Sequence, residues 1–396
     1  MHRTLAIVSL LALIAGASIA AQPGAKAIDT LLTTAVEKKQ LPMAVAMVAN
    51  TKGVIYERAV GTKPDAIFAI ASMTKPVTSV AVMQLVEAGR VKLDEPAATY
   101  LEELASIQVY DGGKMRAPKS PPTVRQLLTH TAGFGYEFLN ADLVALVAKK
   151  QVPSMMLGDD AFLKAPLLFD PGERWEYGIS TDWLGRLVER VSGQTLDAYF
   201  QQKIFQPLGM ADSFFNVPDA KRSRMVPIFA KNADGSVAQQ PTPPAKPVVF
   251  FSGGGGLFST APDYVRFMRA LLQGGQLDGK RILSAESVAL MGQNHIGALN
   301  VRQMGSQVPQ LASNSGVMVG SPDKFGLGFA VNSKPTAAGR SANTMSWAGI
   351  YNTFFWIDRD KQMAAVFMTQ LLPFLEPGVA KVVEDFDRAV YAMHAR

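Results

Sequence analysis

The chain has no cysteine among its 396 residues. That excludes disulfides, a thiol nucleophile, a zinc–thiolate site and a cysteine-linked lipid anchor. Histidine is scarce, with four in all, and His2 and His394 lie at the two ends. Only His130 and His295 remain for a Ser–His–Asp triad, which is therefore poorly supplied. Charged residues make up 18% of the chain against 48% hydrophobic ones, the balance of a globular protein with a large core. The net charge of +6 is scattered, and its densest cluster, Lys221, Arg222 and Arg224, reads as a solvated loop. With no basic stripe interleaved with aromatics and no helix-turn-helix pattern, nucleic acid is not an expected partner. Also missing are a serine inside G-x-S-x-G, the H-E-x-x-H pair, the phosphate loop ending in Gly-Lys-Ser/Thr, and the dinucleotide-binding glycine pattern.

What is present starts with "MHRTLAIVSLLALIAGASIAAQ": a short basic start, an apolar stretch, then small residues. This layout predicts a cleavable signal over residues 1–21 and a secreted or periplasmic mature protein. No later stretch is apolar enough to span a membrane, so no stable membrane span is expected after cleavage. The following text predicts a helix before Pro42 and a hairpin over "MAVAMVANTKGVIYERAVG". A strongly apolar helix is predicted from about Ser72 to Ala88, with Gly89 in the C-cap position. Apolar residues nearly all round mark it as central and buried. Helical pieces separated by Pro- and Gly-rich loops fill the middle of the chain. Strand-like, glycine-rich text returns around 240–260, residues 300–322 read as a long loop, and strand–turn–strand–helix closes the chain.

Strands at both ends with helices between them predict an α+β architecture. Residues 22–93 and 218–396 would build an α/β sheet domain, and 94–217 a mostly helical inserted domain. A cleft between the two is the natural ligand site.

The chemistry-bearing residues begin with "SMTK". Ser72 and Lys75 are three apart and share one face of the first helical turn. A lysine activates a hydroxyl if burial pulls its proton affinity down, and the helix N-terminus steadies an incipient alkoxide. A second S-x-x-K, Ser321 to Lys324, sits in loop text with no apolar helix after it and reads as accidental. Further on, "PGERWEYGISTDW" puts Tyr177 just before a helix, "SGGGGLFSTAPDY" puts Gly253–Gly256 ahead of another, and "SWAGIYNTFFWID" puts Trp347-Ala348-Gly349 at the entrance to a strand.

Together these segments resemble the class C β-lactamase-like serine hydrolase superfamily, most closely its family VIII carboxylesterases, from about residue 28 to 393. The resemblance implies a β-lactamase/penicillin-binding-protein-like fold, an antiparallel sheet flanked by helices plus an inserted helical part. It implies Ser72 as the acyl-accepting nucleophile, with Lys75 and Tyr177 as general base and acid, and no metal or organic cofactor. Tyr177 would act as a base only if cations such as Lys75 favour its phenolate. The backbone N–H groups of Ser72 and Ile350 would form the oxyanion hole, and Trp347, Ala348, Gly349, Ile179 and Tyr136 the substrate pocket. His130 reads as structural, and the glycine run as close backbone packing near the cleft.

Two positions depart from the β-lactamase pattern. Trp347 stands where those enzymes carry lysine, and Ile179 where they carry an asparagine. Both changes remove polar recognition and leave an apolar wall. The expected activity is cleavage of short- to medium-chain or aryl esters. The alternatives are a β-lactamase or D-alanyl-D-alanine peptidase acting on cell-wall-like amides, and a catalytically weak penicillin-binding-like protein.

Overall fold

The computed structural model describes residues 23–232, 234–241, 247–314 and 318–394; the leader-like segment 1–21 lies outside them. Seven strands form one antiparallel sheet: β1 Ala44–Asn50, β2 Val54–Val60, β3 Lys324–Phe325, β4 Ala330–Val331, β5 Met345–Gly349, β6 Thr353–Asp358 and β7 Met363–Met368. Their order is β3-β4-β5-β6-β7-β1-β2, so the two ends of the chain meet where β7 pairs with β1, Val45 opposite Met368. The β1–β2 turn is held by the Asn50 side chain, whose Oδ1 accepts from the amides of Lys52 at 2.8 Å and Gly53 at 3.0 Å. A short amide acceptor at the turn is why asparagine ends this strand.

The helices that matter for the site are α1 Pro23–Glu37, α2 Thr74–Glu87, α3 Val124–Leu128, α4 Ala141–Ala148, α5 Ser180–Ser192, α6 Ala261–Leu272 and α7 Pro377–His394. Successive side chains of β6 serve opposite faces of the sheet. Phe355 packs on Tyr264 of α6, with ring centroids 5.1 Å apart, and Trp356 packs on Phe386 of α7 at 5.5 Å. With both faces covered, β5, β6 and β7 are buried along their whole length. That is why their sequences read as nearly unbroken apolar runs.

Helix α2 is central, as its all-round apolar pattern predicts. Every residue from Thr74 to Met83 is buried, and the helix ends just before Gly89, whose φ of +68° reverses the chain. Two sequence expectations need correction. Among the described residues of 240–260 the one strand is the two-residue Phe258–Ser259, paired with Phe68–Ala69, while Val248 and Phe250 line a cavity instead of joining a sheet. Between the middle helices sits a small hairpin, Val109–Asp111 with Lys114–Arg116, too short to leave an alternating signature. Among the described residues no helix is long and apolar enough to cross a membrane.

One buried ion pair ties α7 to the sheet. Arg340 Nε donates to Asp387 Oδ2 at 2.9 Å with both side chains at most 3% exposed, and the guanidinium lies 4.5 Å over the Trp356 ring. Removing one partner strands the other charge in the core. Asp387→Ala is therefore expected to lower the unfolding free energy in urea by about 3–5 kcal/mol; a loss below about 1 kcal/mol would show that water reaches the pair.

Candidate active site

The segment entering α2 is bent sharply. Ala71 takes φ +43°, a left-handed conformation that costs a non-glycine residue about 1–2 kcal/mol. Its neighbours hold it there. The Ile70 amide donates to the Leu257 carbonyl at 3.0 Å, and the Gln370 side chain brackets Ala69, accepting from its N–H and donating to its carbonyl. A short 3-10 turn, Ala71–Met73, follows and runs directly into α2. Ser72 is thereby left half-buried on the wall of a cavity, while Lys75, one turn further on, is only 1% exposed.

Lys75 Nζ has three close neighbours: Ser72 Oγ at 3.1 Å, the Tyr136 hydroxyl at 2.9 Å and the Gly254 carbonyl at 2.6 Å. The Tyr177 hydroxyl donates to Ser72 Oγ at 2.6 Å. Burial pulls the Lys75 amine down to about 7, an effect only partly offset by the Asp182 carboxylate. As an ammonium Lys75 donates to all three; as a neutral amine it has two N–H groups for Gly254 and Tyr136 and a lone pair for the proton of Ser72.

Tyr177 behaves differently from the expected phenolate. Burial raises its proton affinity, against its hydrogen bond with Ser72, which lowers it. Lys75, whose own proton affinity burial lowers, does not overcome this. Tyr177 is a phenol held protonated by burial, and it donates to Ser72. His130 packs edge-on against Tyr177 with ring centroids 5.0 Å apart and is held neutral by burial, then by Lys75.

The remaining sequence-named residues divide. Tyr136, Trp347, Ala348 and Ile350 line the cavity with Ser72 and Tyr177. Gly349 does not line it; its part is close approach. A Cβ there would lie 2.3 Å from the Ile70 carbonyl oxygen and 2.4 Å from Thr353 Oγ1, so only glycine lets β5 run against the Ser72 turn. Ile179 is not on the cavity wall either. It lies behind, beside Gly135, Leu143, Val152 and Phe162, because a branched apolar side chain at the start of α5 gains most from burial among apolar neighbours.

Sequence reasoning missed three members. It read Tyr136 as cleft lining and did not see the hydroxyl on Lys75. It also missed the Gly254 carbonyl and Asp182, whose carboxylate accepts from Ser252 Oγ at 2.6 Å and from the Gly254 amide at 3.0 Å. A signal for Asp182 was available: an acid among buried positions of α5, three residues before a mid-helix glycine, Gly185, that packs on Gly253.

The cavity has a volume of about 340 Å³ and is walled mainly by aromatic and aliphatic side chains, including Phe138, Phe162, Phe215, Phe250 and Met318. A family model described as Beta-lactamase matches residues 28–387. The chain belongs to the β-lactamase family. Its relatives include monacolin J acid methylbutanoyltransferase of Aspergillus terreus, 28% identical over 403 residues that cover 92% of this chain and 95% of that protein. Lovastatin esterase of Penicillium rubens is 29% identical over 410 residues, covering 93% and 98%. Among solved structures, unliganded simvastatin synthase (LovD) from Aspergillus terreus superimposes with a TM-score of 0.81 at 27% identity, covering 94% of this chain and 99% of that one. The β-lactamase/penicillin-binding-protein-like fold implied by the motifs is thereby shown, and the family's members include hydrolases and acyltransferases.

The close approach of β5 to the Ser72 turn generates a test. Gly349→Ala is expected to force the two apart at a cost of about 1–3 kcal/mol, read as a lower unfolding midpoint in urea; unchanged stability would mean the contact gives way freely.

Proposed function

We propose that the protein is a serine esterase that cleaves neutral carboxylic esters, short- to medium-chain or aryl, through an acyl-enzyme on Ser72. The observation that carries this reading is the placement of Ser72 Oγ, on the wall of an apolar cavity and between the buried Lys75 amine and the Tyr177 hydroxyl. In the acylation step Ser72 Oγ attacks the ester carbonyl as its proton passes to the Lys75 lone pair. The backbone N–H groups of Ser72 and Ile350 stabilise the negative charge that develops on the carbonyl oxygen. The C–O bond to the alcohol then breaks, and the departing alkoxide, hydrogen-bonded by Tyr177, takes the proton back from the Lys75 ammonium. Water repeats the sequence to release the acid.

The wall supports neutral substrates. No lysine or arginine lines the cavity among the described residues, and Trp347, which does, stands in the sequence where the β-lactamase pattern has a lysine. The relatives named as an esterase and as an acyltransferase support acyl chemistry on this fold. A second reading follows from the latter: the same acyl-enzyme passes its acyl group to an alcohol in place of water. The leader-like residues 1–21 support export to the periplasm or beyond as the place of action.

For the purified protein, kcat/KM on p-nitrophenyl butyrate is expected to exceed that on a chromogenic cephalosporin by about a hundredfold or more, the scale of discrimination one pocket contact gives. Ser72→Ala is expected to remove at least about a thousandfold of it. Dominant cephalosporin hydrolysis, or an active Ser72→Ala, overturns the reading. The same assay followed against pH tests the base. Below its pKa Lys75 is protonated and has no lone pair, so kcat/KM is expected to rise with pH and level off above about 7; a rise continuing toward the ordinary lysine value of about 10.4 contradicts a neutral Lys75.

A further inference from the structure

The loop 252–257 is clamped between two helices by buried polar contacts. From α2, Thr78 Oγ1 donates to the Gly253 carbonyl at 2.7 Å, and Thr74 Oγ1 accepts from the Leu257 amide at 3.1 Å. From α5, the Asp182 carboxylate accepts from Ser252 Oγ and from the Gly254 amide. The carbonyl of that same Gly254 is the acceptor 2.6 Å from Lys75 Nζ. Glycine is required at 254 because a Cβ would sit 2.4 Å from Asp182 Oδ2. Asp182 thus grips one side of a residue whose other side grips Lys75, and it is itself only 2% exposed.

We infer that Asp182 is the positioning residue of the site: through Gly254 it sets the place of Lys75, and its carboxylate is the counter-charge for the ammonium formed when Ser72 gives up its proton. This rests on the esterase reading of Ser72 and Lys75. Before that transfer the pocket holds a neutral amine and a carboxylate; after it, an ammonium and the same carboxylate. The step sets a positive charge across Gly254 from a carboxylate otherwise met only by the Ser252 hydroxyl and the Gly254 amide, which favours the acylation transition state over the ground state. The other titratable groups facing Lys75 are Tyr136, Tyr177 and His130, the phenols held protonated and the imidazole held neutral by burial. Asp182 is therefore the one anion that acts on the Lys75 amine among the described residues.

Burial raises the proton affinity of Asp182, and Lys75, Ser252 and the Gly254 amide oppose the rise. The Ser252 hydroxyl and the Gly254 amide favour the ionised carboxylate by donating to it, and the Lys75 ammonium favours it further once formed.

Asp182→Asn keeps an oxygen to accept from Ser252 and Gly254 but removes the charge. Measured on p-nitrophenyl butyrate, the variant is expected to lose about a hundredfold in plateau kcat/KM. Its acid limb is expected to move to lower pH by about a unit or more, because an ammonium without a counter-charge forms less readily. Ser252→Ala, which loosens the grip without removing the charge, is expected to lower the plateau and leave the limb in place. A folded Asp182→Asn, verified by its thermal midpoint, with an unmoved or upward-moved limb overturns the inference. Should that variant not fold, the temperature dependence of the acid limb in the unsubstituted enzyme decides. A strong dependence, as for an amine, is expected, and a flat one, as for a carboxyl group, means that Asp182 itself titrates and overturns the inference. An unsubstituted enzyme without Ser72-dependent ester turnover overturns the esterase reading, whereas turnover with an unmoved limb overturns only the role of Asp182.

Discussion

A lysine side chain with 1% exposure at the start of a buried helix constrains everything around it. An ammonium in that position loses its hydration, and burial accordingly shifts the balance toward the neutral amine. Its neighbours then have to serve it with and without its proton. Three oxygens do so, those of Gly254, Tyr136 and Ser72 at 2.6, 2.9 and 3.1 Å. The rest of the local structure exists to hold these three in place: the left-handed Ala71, the glycine run packed on α5, and the Thr74 and Thr78 hydroxyls that pin the loop to α2.

The sheet contributes through one strand. β5 is paired to β6 over its whole length, with Met345 opposite Ile357 and Gly349 opposite Thr353, and both faces of β6 are packed against helices. A strand fixed so firmly carries Trp347 to within 5.0 Å of the Tyr177 ring and brings the Ile350 backbone to the same cavity as Ser72. Rigid support of this kind is what preset hydrogen-bond donors require. The same strand shapes the wall, because it presents the Trp347 indole to the cavity.

How much of this could be read from the residues depends on whether the signal was local. The helix behind Ser72 was legible because its apolar residues run all round, and the β1–β2 and β6–β7 hairpins because turn residues interrupt apolar runs. Ser72 and Lys75 were legible as a pair because they lie one turn apart on one helix. Tyr136, Gly254 and Asp182 meet Lys75 from sequence positions that share no local pattern with it, so their contacts with the lysine site are facts of packing. Two positions show the same limit. Ile179 was assigned to the pocket by its place in a motif, but its side chain lies among apolar neighbours behind the wall. Tyr177 could be a base only if Lys75 favoured its phenolate, and the burial that lowers Lys75 also disfavours that phenolate.

The central claim is that burial draws the Lys75 amine down to about 7, so that a neutral base is available near neutral pH. NMR of the protein labelled with nitrogen-15 in lysine, with Lys75→Met to assign the signal, reads that state without reference to any substrate. The account predicts that the Lys75 Nζ resonance titrates at about 7. A resonance that stays in its ammonium form until the ordinary lysine value of about 10.4 would contradict it.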